Sequence, residues 1–365
     1  MHRPGSEAEV AEILRAARRG PLRICGGGTR SLAFSGCEEI VTAGLSGIRL
    51  YEPGSLTLVA GAGTPLAEVE ALLAGEGQRL AFEPPDLRGL LGVEGDSTLG
   101  GVAATNASGP RRVQAGACRD SLIGLRLVDG SGMVIKTGGR VMKNVTGIDL
   151  VKLMAGSRGT LGVVSEVAFK LAPRPEMVVT LALEGLSEAR AIAALAAALA
   201  SPFEVTGAAH WPGRGTFLRL EGFAPSVRYR VGRLQAHLAA FGALAEVPDP
   251  WAAIRDVAPF HGRAGDVWRL SLRPSTAAEV VARAGAEAAL FDWGGGLVWL
   301  LMAPGTDLRA RLGRIEGHAT LLRAEAATLQ HLGALPPEPP ELAAITAGLR
   351  ARFDPRSLFS GRGED

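Results

Sequence analysis

Three consecutive glycines, Gly26-Gly27-Gly28, follow the alternating apolar and polar residues 22–25 and constrain this chain more than any other feature. Glycine adopts positive φ without a Cβ penalty and lets the backbone approach a ligand closely. Successive N–H groups of such a loop can converge on an anion, and Thr29 and Ser31 add hydroxyl donors. An isolated run of glycines is more often an ordinary turn, so this segment indicates a phosphate-binding loop only together with further signals.

Two further segments supply those signals. Residues 96–109, DSTLGGVAATNASG, carry almost only small side chains, and residues 156–164, GSRGTLGVV, again join glycines to a strand. Small side chains bury little apolar area, so the longer segment is poorly suited to a core and well suited to form a surface on which a flat ligand can pack. An alternative interpretation of residues 96–109 is the start of a tightly packed helix. The glycine spacing fits neither the dinucleotide fingerprint nor a P-loop, and the three segments together predict a different kind of bound cofactor.

The order of motifs resembles a known family. GGGT, PPD, STLGGVAATNASG, RDSLIGLRLVDGSG and KNVTGIDLVKLMAGSRGTLGVVSEV resemble the FAD-binding domain of the vanillyl-alcohol oxidase and p-cresol methylhydroxylase (PCMH) family over residues 4–175. More narrowly, AGAGTPLAEVEALLA, LAFEPP, SGPRR and VMKNVTGIDLVKLMAGSRGTLG resemble the shorter of the two flavin-type subunits of bacterial glycolate oxidases, the E-type subunit. The tail FDPRSLFSGR departs from the family pattern at Ser360, which leaves the position of the tail near the flavin open.

The resemblance implies a set of FAD contacts. The pyrophosphate is expected on Gly26, Gly27, Gly28, Thr29, Arg30 and Ser31. The ribityl chain and the isoalloxazine are expected along Pro84, Thr98, Leu99, Gly100, Gly101, Ala104, Thr105, Ser108 and Gly109, with Gly116 nearby. The adenine side is expected at Gly162, Val163 and Val164. Some family members attach the flavin through a histidine just after the glycines; because this chain has none there, we expect non-covalent FAD.

The fold class expected is α+β. Residues 1–174 are predicted to form the two-subdomain PCMH-type FAD-binding domain, with a capped helix at 7–16, strands at 22–25 and 56–61 and a helix at 65–73 in a first subdomain. Strands at 122–127, 133–136 and 161–171 are predicted to form a second. Residues 175–334 are predicted to form a substrate or cap domain with a mainly antiparallel sheet and helices on one face. Residues 335–365 are expected to supply a proline-rich linker, a C-terminal helix and a tail.

Catalytic candidates are fewer. Oxidation of a 2-hydroxy acid needs a base for the hydroxyl proton, a cation for the carboxylate and an electron sink, which FAD supplies. His210, His261 and Arg269, each beside an aromatic residue, are the candidates, although a lone histidine beside an aromatic is more often structural. The pair Arg111-Arg112 is as consistent with ordinary surface charge as with a functional site. The histidines are far apart in sequence, without the His-rich metal motif of relatives that act alone, so no metal site is expected.

Composition excludes several classes of protein. The net charge of +2 is too small to indicate nucleic acid binding. The chain has no run of 18 apolar residues and no apolar segment near its start, so we expect neither a transmembrane segment nor a secretory signal. This predicts a cytoplasmic protein that could reach the inner membrane only through partners. Cys25, Cys37 and Cys118 lack metal-ligand spacing, so any iron–sulfur cluster is expected in another chain.

Three functions remain open at this point. The resemblance favours the FAD-binding subunit of a glycolate oxidase complex that contains a larger flavin subunit and an iron–sulfur subunit and oxidises glycolate. The second candidate is a self-sufficient FAD-dependent dehydrogenase or oxidase of another small 2-hydroxy acid or alcohol. The third is a flavin-holding structural subunit without a substrate of its own. The intact glycine segments disfavour a flavin-free subunit.

Overall fold

The computed structural model describes residues 1–18, 20–30, 37–139 and 149–359. Its helices are α1 (Glu7–Ala16), α2 (Leu66–Gly75), α3 (Arg88–Leu91), α4 (Leu99–Ala104), α5 (Arg112–Ala115), α6 (Cys118–Ser121), α7 (Leu150–Met154), α8 (Glu188–Leu199), α9 (Ala224–His237), α10 (Trp251–Arg255), α11 (Ala277–Ala284), α12 (Leu308–Leu312), α13 (Ala326–Leu332) and α14 (Pro340–Phe353). No helix within these ranges is long and apolar enough to cross a membrane.

The strands are β1 (Leu22–Cys25), β2 (Glu38–Val41), β3 (Ile48–Glu52), β4 (Thr57–Gly61), β5 (Gln78–Arg79), β6 (Leu122–Val128), β7 (Val134–Gly138), β8 (Val163–Lys170), β9 (Ala172–Pro173), β10 (Met177–Leu183), β11 (Gly207–Trp211), β12 (Gly215–Gly222), β13 (Ala245–Glu246), β14 (Asp266–Leu272), β15 (Ala288–Asp292), β16 (Leu297–Met302) and β17 (Gly317–Arg323). Apart from the parallel pair of β1 and β2, the paired strands are antiparallel. The predicted α+β class is confirmed.

The N-terminal part of the first domain is built around α1. Ser6 caps this helix by accepting the Glu9 N–H, as an N-cap serine does. The buried side of the helix, with Val10 and Leu14, packs against Leu22 of β1 and Ile40 of β2. This packing holds the strand that leads directly into the three glycines.

A five-stranded antiparallel sheet, in the order β3-β4-β8-β6-β7, forms the rest of the first domain. The expectation that strand 56–61 belongs with β1 was wrong, because β4 pairs with β8 from Thr57 opposite Lys170 onwards. All five residues of β4 are buried, and the strand lies between β3 and β8 in the sheet. The small-residue helix α4 and helix α2 pack on this sheet.

The second domain is an eight-stranded sheet in the order β13-β10-β12-β11-β15-β16-β14-β17. It consists of two β-α-β-β-α-β units, β10 to β13 and β14 to β17, each of the ferredoxin-like type. Helices α8, α9, α11 and α12 share one core on one face of the sheet. The other face packs Trp299 of β16 against α10 and against Leu90 and Leu91 of the first domain. The two units meet at one registered pair, His210 opposite Phe291.

The sequence pattern predicts a helix over residues 276–289, and this prediction is wrong for its last five residues, 285–289. Helix α11 ends at Gly285, whose φ is +61°, a value that favours glycine and commonly ends a helix. The alanine-rich residues that follow form β15, which pairs with β16 along its whole length. Ladder hydrogen bonds in the middle of a sheet therefore override the helical preference of alanine.

The C-terminal segment returns to the first domain. Phe353 joins the core beneath the five-stranded sheet, and Phe359 joins the core around α1. The Asp354 carboxylate accepts the N–H groups of Leu358 and Phe359 at 2.9 and 2.7 Å. At its other end, the segment is held by Arg309, which donates to the carbonyls of residues 332, 333 and 334. Residues 335–339, here called the strap, are thus fixed on both sides.

Ion pairs join the two domains. Glu221 of β12 accepts from Arg79 at 2.9 Å and from Arg111. In the opposite direction, Arg219 of β12 donates to both carboxylate oxygens of Glu83 at 2.9 and 2.8 Å, and Glu83 also accepts the backbone N–H of Arg111 at 3.0 Å. The Arg219 and Glu221 side chains are only 4% and 5% exposed. We call these five residues the interdomain clasp.

Glu221→Gln tests the clasp. Because it leaves two guanidinium groups without their carboxylate, it should lower the free energy of unfolding by about 3–5 kcal/mol, the usual cost of breaking a buried pair. The control is Glu316→Gln, since the Glu316–Arg273 pair is 64% and 66% exposed and should contribute about 0–1 kcal/mol. Urea unfolding midpoints measure both variants. Equal small shifts would mean that the clasp does not stabilise the domain arrangement.

Candidate functional site

A cavity of about 210 Å³ lies between the glycine loop after β1, helix α4 and the start of β8. We call it the glycine-lined cavity. Its lining residues are Arg23, Ile24, Cys25, Gly26, Gly27, Gly28, Thr29, Arg30, Cys37, Thr42, Thr98, Gly100, Gly101, Ala104, Thr105, Arg158, Gly159, Gly162 and Val164. The three small-residue segments of the sequence therefore meet in space, and they leave an open volume between them.

The glycines let these segments approach each other. A Cβ on Gly27 would lie 1.6 Å from the Asp96 carbonyl oxygen, and one on Gly100 would lie 2.8 Å from the Ala62 Cβ. Gly28, by contrast, has φ +73° with no heavy atom within 4 Å of a Cβ. Thr98 caps α4 by accepting the Gly101 N–H at 3.3 Å. Two of the glycines thus serve packing, whereas Gly28 faces open space.

Arg30 supplies a buried positive charge at the edge of this cavity. Its Nη2 donates to the Pro85 carbonyl at 3.0 Å and to Ser97 Oγ at 2.8 Å. Its Nε and Nη1 are buried and find no hydrogen-bond partner among the described residues, and burial lowers the pKa of the guanidinium to about 10. A buried charged donor without a partner is costly. The cavity therefore fits a ligand with an anionic group, such as a dinucleotide pyrophosphate.

A second opening of about 560 Å³, here called the arginine cleft, lies between the two domains and under the strap. It shares Arg30, Thr105 and Arg158 with the glycine-lined cavity, so the two spaces are adjacent. Its other polar and aromatic lining residues are Asn106, Ser108, Arg112, Arg269, Ser271, Trp293, Trp299, His318, Thr320 and Glu338.

The sheet register explains why several of these residues face the cleft together. Arg269 of β14 lies opposite Trp299 of β16 and opposite Thr320 of β17. Ser271 lies two residues further along β14, opposite His318. Because alternate residues of a strand share one face, all five belong to the face of the sheet that covers the first domain. Burial, and next the positive charge of Arg269, lower the pKa of His318.

Trp293 forms the wall between the domains. The guanidinium carbons of Arg112 and Arg269 lie 4.5 and 5.4 Å from the centroid of its ring. The indole Nε1 donates to the Gly109 carbonyl at 3.0 Å, and the backbone N–H donates to Asp292 Oδ1 at 2.7 Å. Its φ of +53° is unusual for a bulky residue and is a strained conformation that needs support from its surroundings.

The predicted cofactor residues are distributed unevenly over these spaces. The glycine-lined cavity is lined by Gly26, Gly27, Gly28, Thr29, Arg30, Thr98, Gly100, Gly101, Ala104, Thr105, Gly162 and Val164. Ser108 lines the arginine cleft. Neither space is lined by Pro84, Leu99, Gly109, Gly116 or Val163. Ser31 lies outside the described residues.

Of the catalytic candidates, only Arg269 lines the cleft. Buried His210 shares a hydrogen bond of 2.9 Å with Thr216 Oγ1, and its ring lies against Phe291 at the seam of the sheet. His261 bonds the Asp256 carbonyl at 2.8 Å and packs against Gly89. The catalytic roles of both histidines stay predictions.

Sequence reasoning missed the residues that the domain interface brings together. His318, Arg112, Trp293 and Trp299 belong to four separate elements, and no spacing in the sequence relates them. The available signal was the alternation along β17, which places His318 and Thr320 on one face. It would have indicated a shared face but not a cleft.

Comparisons with known proteins identify the family of the chain. The sequence model of a family described as an FAD binding domain matches residues 1–138. Glycolate oxidase subunit GlcE of Escherichia coli (strain K12) is 36% identical over 280 residues, which cover 76% of this chain and 75% of that protein. Glycolate oxidase subunit GlcD of Bacillus subtilis (strain 168) is 44% identical over 100 residues, 27% of this chain and 20% of that protein.

A solved structure described as alkyldihydroxyacetonephosphate synthase is similar in fold. It superimposes with a TM-score of 0.68 at 16% identity and covers 97% of this chain and 75% of its own. The similarity therefore extends through both domains of the fold.

Asp292 predicts a dependence of stability on pH. Burial raises the pKa of this carboxyl to about 7, so between about pH 4 and 7 the unfolded chain loses a proton that the folded chain keeps. Stability should therefore fall as the pH rises through this window. Asp292→Asn should remove that component. Melting temperatures at pH 4.5 and 7.5 measure it, with Asp249→Asn, an exposed carboxylate that accepts the Trp251 N–H, as the control. An unchanged pH dependence in Asp292→Asn would contradict the prediction.

Proposed function

Because this chain belongs to the PCMH-type FAD-binding family, whose members include FAD-linked oxidoreductases, we propose that it is the FAD-binding subunit of a glycolate oxidase complex. FAD is its cofactor. The observation that carries the proposal is the 36% sequence identity with subunit GlcE, over a region that covers about three quarters of both chains. The position of a cleft rich in arginine directly beside the glycine-lined cavity supports an acid as the substrate.

The glycine-lined cavity is the proposed FAD site. Gly26 to Thr29 and Arg30 would hold the pyrophosphate, because the loop offers backbone donors and Arg30 has unpartnered N–H groups. Thr98, Gly101, Ala104 and Thr105 of the small-residue segment would line the remaining path of the cofactor, and Gly162 and Val164 the adenine side. When bound, FAD supplies the acceptor for a hydride from the substrate carbon. With no histidine among residues 26–31, the flavin is proposed to be non-covalent.

The arginine cleft is the proposed substrate site. Arg269 has no acceptor and no carboxylate partner among the described residues, so its guanidinium is available for a substrate carboxylate, which it can bind through two parallel hydrogen bonds. Because the pKa of His318 is lowered, its imidazole is neutral near pH 7 and can accept the hydroxyl proton of a 2-hydroxy acid. Ser271 and Thr320, beside these two on the sheet, add hydroxyl groups that can orient the substrate.

Partners are proposed to complete the reaction. The chain has three cysteines, fewer than the four that usually hold an iron–sulfur cluster, so the proposed cluster belongs to a separate iron–sulfur subunit that receives the electrons. A larger flavin subunit is the other proposed member of the complex. The substrate proposed is glycolate, with glyoxylate as the product. A self-sufficient dehydrogenase of another small 2-hydroxy acid is the second candidate, because Arg269 and His318 line one cleft next to the cofactor cavity.

Gly101→Val tests the FAD site. A Cβ at Gly101 would lie 3.3 Å from Thr98 Oγ1, so the three carbons that valine adds crowd a packed cavity wall. We expect a cost of about 1–3 kcal/mol, which is about a 5- to 150-fold loss of FAD affinity. The matched control is Gly232→Val in helix α9, where no heavy atom lies within 4 Å of a Cβ. Bound flavin is measured after acid precipitation, which should release intact FAD. Flavin retained by the precipitate would contradict non-covalent binding. Unchanged FAD affinity in Gly101→Val would contradict the location of the FAD site.

Glycolate oxidation should depend on co-assembly. The chain is purified alone and together with the proposed larger flavin and iron–sulfur subunits, and each preparation is mixed anaerobically with glycolate while the flavin absorbance is followed. We expect bleaching to be much faster in the complex than in the isolated chain, because the proposed complex adds a second flavin subunit. Rapid bleaching of the isolated chain would favour the self-sufficient dehydrogenase. An inert complex would refute glycolate as the substrate.

The same experiment locates the proton acceptor. Within the complex, His318→Gln should slow the bleaching by about a hundredfold or more, the usual contribution of a general base. An unaffected rate would place the chemistry in the larger flavin subunit. His331→Gln on α13, outside the cleft, is the control.

A further inference from the structure

We propose that Arg112 and Arg269 form a single two-cation receptor, so that the arginine cleft binds small dicarboxylates more tightly than monocarboxylates. The inference rests on the proposed function for the identity of the cleft as the substrate site. It extends that function by naming a ligand class with a second carboxylate, which glycolate lacks.

Position is the first argument. Arg112 belongs to α5 of the first domain and Arg269 to β14 of the second, yet both lie against the ring of Trp293, at 4.5 and 5.4 Å. Both line the arginine cleft. Trp293 is itself fixed by two hydrogen bonds, to Gly109 and to Asp292. The two guanidinium groups are therefore held at defined places on either side of the domain boundary.

Charge is the second argument. Neither guanidinium has an ion pair or a hydrogen bond to any described residue, and the proximity of Arg112 contributes to lowering the pKa of Arg269, after burial, to about 10. Burial also lowers the pKa of Arg112. The cleft as a whole is lined by four arginines and one carboxylate, that of Glu338. One negative charge on a ligand can compensate only one of the two guanidinium groups of Arg112 and Arg269, whereas two carboxylates can each accept charge-assisted hydrogen bonds.

The contrast with the interdomain clasp strengthens the point. There, Arg111 and Arg219 are paired with glutamates of the opposite domain. Arg112 follows Arg111 directly in the sequence, but among the described residues its guanidinium has no carboxylate partner and lies over the ring of Trp293. Because a cation–π contact leaves the N–H groups at the edge of the guanidinium free to donate, the stacked arginines keep their donors available for a ligand.

The test uses the isolated, FAD-loaded chain, so that the glycine-lined cavity is filled. Dissociation constants of oxalate, a dianion, and acetate, a monoanion, are measured by calorimetry at pH 7.5 and constant ionic strength. We expect oxalate to bind about tenfold more tightly than acetate or better, since a second charge-assisted interaction is gained. A ratio near one in the wild-type chain overturns the proposal without any variant.

Variants assign the ratio to the two residues. Arg112→Gln and Arg269→Gln should each bring the oxalate-to-acetate preference down to about twofold or less, while Arg112→Lys should keep part of it because the charge remains. Arg214→Gln is the matched control, since Arg214 also lies over a tryptophan ring, that of Trp211, at 5.4 Å and outside the cleft. A preference unchanged in Arg112→Gln, or lost equally in Arg214→Gln, overturns the proposal.

Failure of the proposed function has a different signature. If the complex does not oxidise glycolate while the isolated chain still prefers oxalate through Arg112 and Arg269, the substrate assignment fails and the receptor stands. If glycolate is oxidised and the preference is absent, the receptor fails and the proposed function stands.

Discussion

Neutralisation of charge across the domain boundary is the interaction on which the rest of this structure depends. Glu83 of the first domain and Glu221 of the second each pair with arginine from the opposite domain, so the pairs run in both directions. Buried charges are tolerated only in such partnerships. Since the cleft is formed by α5 from one domain and by β14 and β17 from the other, its width is set by the contact that the clasp maintains.

The sequence was sufficient for the parts of the structure that local chemistry specifies. The glycine loop, the small-residue segment and the third glycine segment meet as predicted, because close packing of Gly27 on Asp96 and of Gly100 on Ala62 admits no larger residue. The position of β4 was not available in the same way, since a continuous apolar strand is compatible with either subdomain. The end of α11 and the presence of β15 depended on ladder bonds to β16 that local propensity does not report.

Only one of the two parts of the candidate site, the cofactor cavity, was predictable from the sequence. Contacts to a cofactor lie in continuous glycine-rich stretches, and the resemblance to a family places them. Residues of the arginine cleft come from α5, β14, β16 and β17, and only the closure of the two domains makes Arg112 and His318 neighbours of Arg269. Arg112 was indistinguishable in sequence from Arg111, although one lies in the clasp and the other against Trp293. The identity of its neighbour decides which role an arginine takes.

The single registered pair between β11 and β15 separates two groups of functional residues within the second domain. The unit before the seam carries Arg219 and Glu221, and the unit after it carries Arg269, Trp299 and His318. One registered strand pair joins the two units within the sheet, and the core shared by α8, α9, α11 and α12 joins them on the helical face. The width of the cleft therefore depends on how this shared core holds the later unit against the earlier one. The hydrogen bond from Trp293 to Gly109 adds a direct tie between the later unit and the first domain, so this unit is held to the first domain independently of the clasp.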